Sequence, residues 1–64
     1  MADVHLSYHG TLIGLALNTP AAIEWAGEHL PADAPRMGKI VYAEPRYVDQ
    51  IVDGMRNDGL EVND

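Results

Sequence analysis

In residues 39–62, KIVYAEPRYVDQIVDGMRNDGLEV, a strand, a helix start, an amphipathic helix, a helix stop and a second strand follow one another without a gap. Val48, Ile51, Val52 and Met55 recur at i, i+3, i+4 and i+7, which makes one helical face apolar, while Arg46, Asp49, Gln50, Asp53 and Arg56 fill the other. Pro45 opens this helix at a position where its missing N–H costs no hydrogen bond. Asn57-Asp58-Gly59 closes it with a glycine suited to the left-handed conformation past a helix end. Before the helix, Ile40–Ala43 is apolar on both faces, as a central strand is. After it, Leu60 and Val62 begin another strand, with Glu61 and Asn63 facing outward. Strand, helix and strand in this order predict a right-handed crossover between parallel strands.

The first half of the chain supplies three more elements. Val4, Leu6 and Tyr8 alternate with His5, Ser7 and His9, the period-two pattern of a strand with one buried face. His9-Gly10 can provide the positive backbone angles of a tight turn, and residues 11–17 then form a second, antiparallel strand with Ile13, Leu15 and Leu17 on one side. Gly14 lies on the other side, where a missing side chain admits a bulge or a close approach. Asn18-Thr19-Pro20 starts a helix reaching about Leu30, with Thr19 as its cap and Ala22, Ile23, Ala26 and Leu30 as its inner stripe. Trp25 stands at the margin of that stripe. Pro31 and Pro35 bracket PADAPRMG, which can neither prolong the helix nor join a central strand.

These elements assemble most simply as a single domain of the α+β class: a two-layer α/β sandwich in the order ββαβαβ, with a mixed four-stranded sheet and both helices on one face. The opposite face would carry His5, Ser7, His9, Leu12, Gly14, Ala16, Val41 and Ala43. Apolar side chains on an uncovered face predict either a homodimer interface or a docking surface. At 64 residues the buried fraction of surface is small, and without cysteine neither a disulfide nor a thiolate metal site can supplement the core. The 47% of hydrophobic residues is nevertheless that of a folded chain.

Ten carboxylates against four Lys and Arg give a formal charge of −6, which disfavours a nucleic-acid partner and suits a protein with a basic surface. No apolar run is long enough to cross a bilayer, and the N-terminus lacks the pattern of a signal peptide, so the expectation is a soluble cytoplasmic protein.

Chemistry has few footholds. His5 and His9 are roughly 13 Å apart at about 3.3 Å per residue of strand, too far to share a metal ion. Ser7 lies between them without an orienting acid, which is not a triad. His29 in the last turn of the first helix suits the helix dipole when protonated. The glycines never fall in a Walker or dinucleotide spacing, so no cofactor is expected. Asp49 and Asp53, one helical turn apart, read as solvated carboxylates near Arg46 and Arg56 rather than as a catalytic pair. Gly54 inside the second helix costs about 1 kcal/mol relative to alanine and implies a close neighbour, the first helix or the sheet. Tyr42, Tyr47, Trp25, Arg36 and Met37 are residue types that anchor protein interfaces.

The phrases TPAAIEWAGEHLPADAP and VYAEPRYVDQIVDGMRNDGLEV, summarised as TPxAxEW…EPRYVxxIVxGMxxDGLxV, resemble those of short uncharacterised bacterial and phage proteins over about residues 17–62. In those proteins an aromatic, glycine-rich phrase tends to follow the loop before the third strand, whereas this chain has RMGKIVYAEP. The resemblance implies a fold and a mobile-element setting and transfers no functional residue.

Together these observations predict a small acidic, non-catalytic protein-binding module, of the kind that phages and mobile elements use to inhibit host or defence proteins, as anti-CRISPR and anti-restriction proteins do. Its binding residues would be Asp49, Asp53, Arg46, Arg56 and Glu61, facing a basic protein surface. The alternative is a small homo-oligomeric enzyme or ligand-binding protein with an intersubunit site built from His5, Ser7, His9 and Tyr42.

Overall fold

The computed structural model describes residues 2–63. A five-stranded mixed sheet and two helices form an α+β fold. The strands are β1 (Val4–His9), β2 (Leu12–Leu17), β3 (Arg36–Met37), β4 (Ile40–Ala43) and β5 (Val62–Asn63), and the helices are α1 (Pro20–His29), after β2, and α2 (Pro45–Asn57), after β4. The order across the sheet is β3-β4-β2-β1-β5.

β1 and β2 pair antiparallel, with Val4 opposite Leu17 and His9 opposite Leu12. The turn between them is Gly10-Thr11, and Gly10 alone takes a positive φ, of 68°. His9 ends β1, as the period-two alternation has it, so the turn does not include it; Thr11, read as the start of the second strand, lies in the turn. β5 lies parallel to β1 at its other edge. Because β1 and β4 each run antiparallel to β2, β4 and β5 point the same way, as the strand-helix-strand pattern predicted, but with β2 and β1 between them.

The four-strand count is corrected to five. Gly38, at φ 58°, lets Met37 fold back opposite Ile40, so Arg36–Met37 becomes a short edge strand within the expected loop. The Tyr42 amide donates to the Pro35 carbonyl at 2.9 Å and extends the same pairing.

One sheet face carries Val4, Leu6, Ile13, Leu15, Leu17 and Val41, all buried against Ala22 and Ala26 of α1 and Val48, Val52 and Met55 of α2. Both helices therefore cover the same face. Leu15 sits opposite Val41, which sets the parity of β4. Val41 and Ala43, expected on the open face, turn toward the helices, and Ile40 and Tyr42 take their places. Ile23, expected in the inner stripe of α1, is 52% exposed, because the helix approaches the sheet through its two alanines.

The helix ends follow the chemistry of their residues. The Thr19 hydroxyl accepts from the Ala22 amide at 3.2 Å and donates to Asp3 Oδ1 at 2.7 Å. Past α2, the Leu60 amide reaches the Met55 carbonyl and the Gly59 amide the Arg56 carbonyl, a Schellman arrangement with Gly59 at φ 91°. Asp3 Oδ2 accepts from the Glu61 amide at 2.8 Å, so one carboxylate joins the start of α1 to the approach of β5. Hydrogen bonds from the Glu61 amide and then the Thr19 hydroxyl hold the Asp3 carboxyl below its ordinary 3.8.

Candidate interaction surface around the second helix

α2 is a ridge with a groove on each side. Its inner face is spent on the core, so only its outer face and flanks are available to a partner. Trp25 sets its seating against α1. The Trp25 ring lies where a Cβ on Gly54 would be 3.2 Å from Cζ2, so the close neighbour expected beside this glycine is a side chain of the first helix. Trp25 Nε1 donates to Asp58 Oδ2 at 2.6 Å, and its ring stacks on His29 at 4.3 Å between centroids. His29 Nε2 stands 3.7 Å from the same Asp58 oxygen, so a protonated His29 completes an ion pair that again joins the two helices.

The first groove, of about 630 Å³, runs between α2 and β1 and brings Asp49, Asp53 and Arg56 beside Leu6 and Tyr8. Asp49 and Asp53 are exposed, and neither is paired with a cation among the described residues. The two nearby arginines are occupied elsewhere. Arg56 donates to the Val62 carbonyl at 3.1 Å and so fastens the end of α2 to β5. Arg46 donates to Glu44 Oε1 at 3.2 Å and lies over the Tyr47 ring, 4.8 Å from its centroid. Arg36 and Lys39 belong to the β3–β4 hairpin, away from this groove. The structure thus gathers Asp49, Asp53 and Arg56 into one groove. Arg46 and Glu61 are exposed but line neither groove, and the Glu61 main chain serves the fold by bonding to Asp3 and Val4.

The second groove, of about 500 Å³, opens between α2, the end of α1 and the segment at residues 31–35. Leu30, Ala34, Ala43 and Ile51, each partly buried against the core, leave apolar surface along it. Its charged lining consists of Asp33 and Glu44, with His29 as the one group able to become cationic. Sequence periodicity gave no hint of this cleft, since its walls come from separate elements. Tyr42 and Tyr47, noted as interface-type residues, do line it.

The open sheet face partly closes over itself. His9 Nε2 is 2.8 Å from Ser7 Oγ, and the His9 ring meets the Tyr42 ring edge-on at 5.5 Å. Gly14 lies beneath, with no bulge in the strand; the space it leaves is filled by Ser7, Ile40 and His9 side chains. A hydroxyl held on an imidazole is half of a nucleophilic pair. The imidazole here is braced by an aromatic edge, and no carboxylate is bonded to it among the described residues. Among those residues no group of three or more His, Cys, Asp or Glu is placed to hold a metal ion, and no helix is long and apolar enough to cross a membrane.

The chain matches no known family, no curated protein and no solved structure among those compared with it.

Proposed function

We propose that the chain is a small, acidic, non-catalytic protein-binding module that sets the outer side of α2 against a basic surface of its partner. The observation that carries this reading is the pair of exposed carboxylates, Asp49 and Asp53, neither in an ion pair among the described residues, in a groove whose one cation, Arg56, is bonded to a main-chain carbonyl. Exposed charge of one sign steers association and fixes orientation more than it adds affinity. The finer reading is an inhibitor of a host or defence protein, of the anti-CRISPR or anti-restriction kind, acting in the cytoplasm. It rests on size, charge and the resemblance of residues 17–62 to phage and bacterial proteins.

Affinity capture with the wild type and with Asp49→Lys/Asp53→Lys, read by mass spectrometry over a salt series, tests the proposal. A partner held at low salt, released as salt rises and lost on double reversal is expected. Capture that survives the reversal but disappears in His5→Ala/His9→Ala would move the site to the open sheet face.

The Ser7–His9–Tyr42 cluster favours a second reading, a homo-oligomer with a ligand or reaction site between subunits. Light scattering decides it, since a strict monomer at micromolar concentration has no such site.

A further inference from the structure

The cleft between α1 and α2 differs in chemistry from the acidic groove across the ridge. Its floor is apolar, from Leu30, Ala34, Ala43 and Ile51, and it is open to solvent along one side. A small ligand is usually buried over 70–90% of its surface, which an open cleft of this kind does not provide. A single side chain projecting from a polypeptide needs only one such recess. Tyr47 and Pro35 at the margin are suited to packing on a peptide main chain.

The charge around the cleft leans to the negative. Asp33 makes no ion pair among the described residues, Glu44 is paired with Arg46 at 3.2 Å, and no Lys or Arg lines the cleft. The last turn of α1 ends at His29 and Leu30 on its wall, and a helix C-terminus carries partial negative charge. An apolar recess bordered by the unpaired Asp33 carboxylate and a helix C-terminus complements an apolar group with cations close to it.

We infer that this cleft receives one large apolar side chain of a partner polypeptide segment that carries Lys or Arg on both sides of that residue. The inference deepens the binding-module reading and rests on it for the basic character of the partner. Recognition is then bipartite, with α2 as the shared wall: carboxylates at Asp49 and Asp53 on one flank, an apolar socket on the other.

Synthetic peptides Lys-Lys-X-Lys-Lys, blocked at both ends, with X as leucine or alanine, test this by titration into the isotopically labelled chain followed by NMR. The expected result is that shifts from the leucine peptide concentrate at Leu30, Ala34, Ala43 and Ile51. The alanine peptide should bind about tenfold or more weakly, from the apolar carbons lost. Asp33→Lys and Tyr47→Ala, both at exposed positions, should weaken the leucine peptide with circular dichroism unchanged, whereas Asp49→Lys/Asp53→Lys should leave its shift pattern in place. Equal binding of the two peptides would overturn the socket while leaving charge recognition by α2 intact. Shifts confined to Tyr8, Asp49 and Asp53 would do the same, and absence of binding at millimolar peptide would overturn it as well. Loss of partner capture in Asp49→Lys/Asp53→Lys together with an unaffected socket would separate the two readings.

Discussion

Gly54→Ala sets two effects of similar size against each other, and the structure says which wins. Replacing an interior helical glycine by alanine favours the helix by about 0.8–1.0 kcal/mol. The added Cβ, however, would stand 3.2 Å from Trp25 Cζ2 and 3.7 Å from Cη2. The nearer contact returns to ordinary carbon separation if Trp25 withdraws by about 0.3 Å. What resists that shift is the hydrogen bond from Trp25 Nε1 to Asp58, which is short at 2.6 Å. Asp58 follows Gly54 by one helical turn, so withdrawal from α2 lengthens this bond by no more than the same amount, to about 2.9 Å, the middle of the usual range. The cost is small, and the variant should be more stable than the wild type by about 0.5–1 kcal/mol. For a domain of this size that raises Tm by about 2–8 °C, readable by far-UV circular dichroism. In a Trp25→Leu background the whole helical gain should appear, and the difference between the two gains measures the cost of moving Trp25. A fall in Tm on Gly54→Ala would refute the reasoning, because it would mean that the Trp25–Asp58 bond has no slack to give.

Met55 is fully buried at the centre of the α2 interface, so Met55→Ala should cost about 2–5 kcal/mol, much of what a chain this short possesses, and lower the urea midpoint without changing the native helix signature. Asp3, whose carboxyl is held low by the Glu61 amide and the Thr19 hydroxyl, contributes stability that is complete above its unfolded value of 3.8 and is lost as pH falls through the lower folded value. Asp3→Asn should therefore lower Tm at neutral pH, and its gap from the wild type should close in acid; a gap independent of pH would contradict the assignment. Gly14→Ala puts a Cβ 2.6 Å from Ser7 Oγ and 3.0 Å from Ile40 Cγ2, which should cost about 1 kcal/mol or more and break the Ser7–His9 pair, seen as a changed His9 ring shift. Ser7→Ala/Gly14→Ala should recover most of that loss.

How far the fold could be read from the chain depended on whether an element carries its own signal. α2 does, because its apolar residues repeat at helical spacing and Pro45 and Gly59 mark its ends, so Val48, Ile51, Val52 and Met55 face inward as read. β4 does not. Ile40–Ala43 is apolar throughout, so nothing local tells its two faces apart, and only pairing with Leu15 turns Val41 inward. In α1 the ambiguity is one of size: Ala22, Ile23 and Ala26 are all apolar, and close packing on the sheet selects the small ones. β3 is two residues long and is defined by hydrogen bonds across Gly38 rather than by a pattern. Exposure of Asp49 and Asp53 followed from periodicity, whereas the apolar cleft and the Asp3 link depend on residues far apart in sequence. Neither leaves a local trace.

In so small a domain the elements that build the core must also present the binding surface, and the use of the few cations decides how that surface is charged. Arg56 shares a groove with Asp49 and Asp53 but forms no ion pair with either; its guanidinium bonds to the Val62 carbonyl and helps to hold the short strand β5. Arg46 is likewise taken by Glu44 and by the Tyr47 ring. The remaining Lys39 and Arg36 lie in the β3–β4 hairpin, at the opposite edge of the sheet from β5. Asp49 and Asp53 therefore stand without an ion pair along α2 among the described residues, with the Arg56 charge beside them. On the proposed reading, the Asp49 and Asp53 carboxylates help to orient a basic partner toward the α2 side before short-range contacts form. On the same reading, the apolar cleft on the other flank of the helix discriminates among basic partners that charge alone would treat alike.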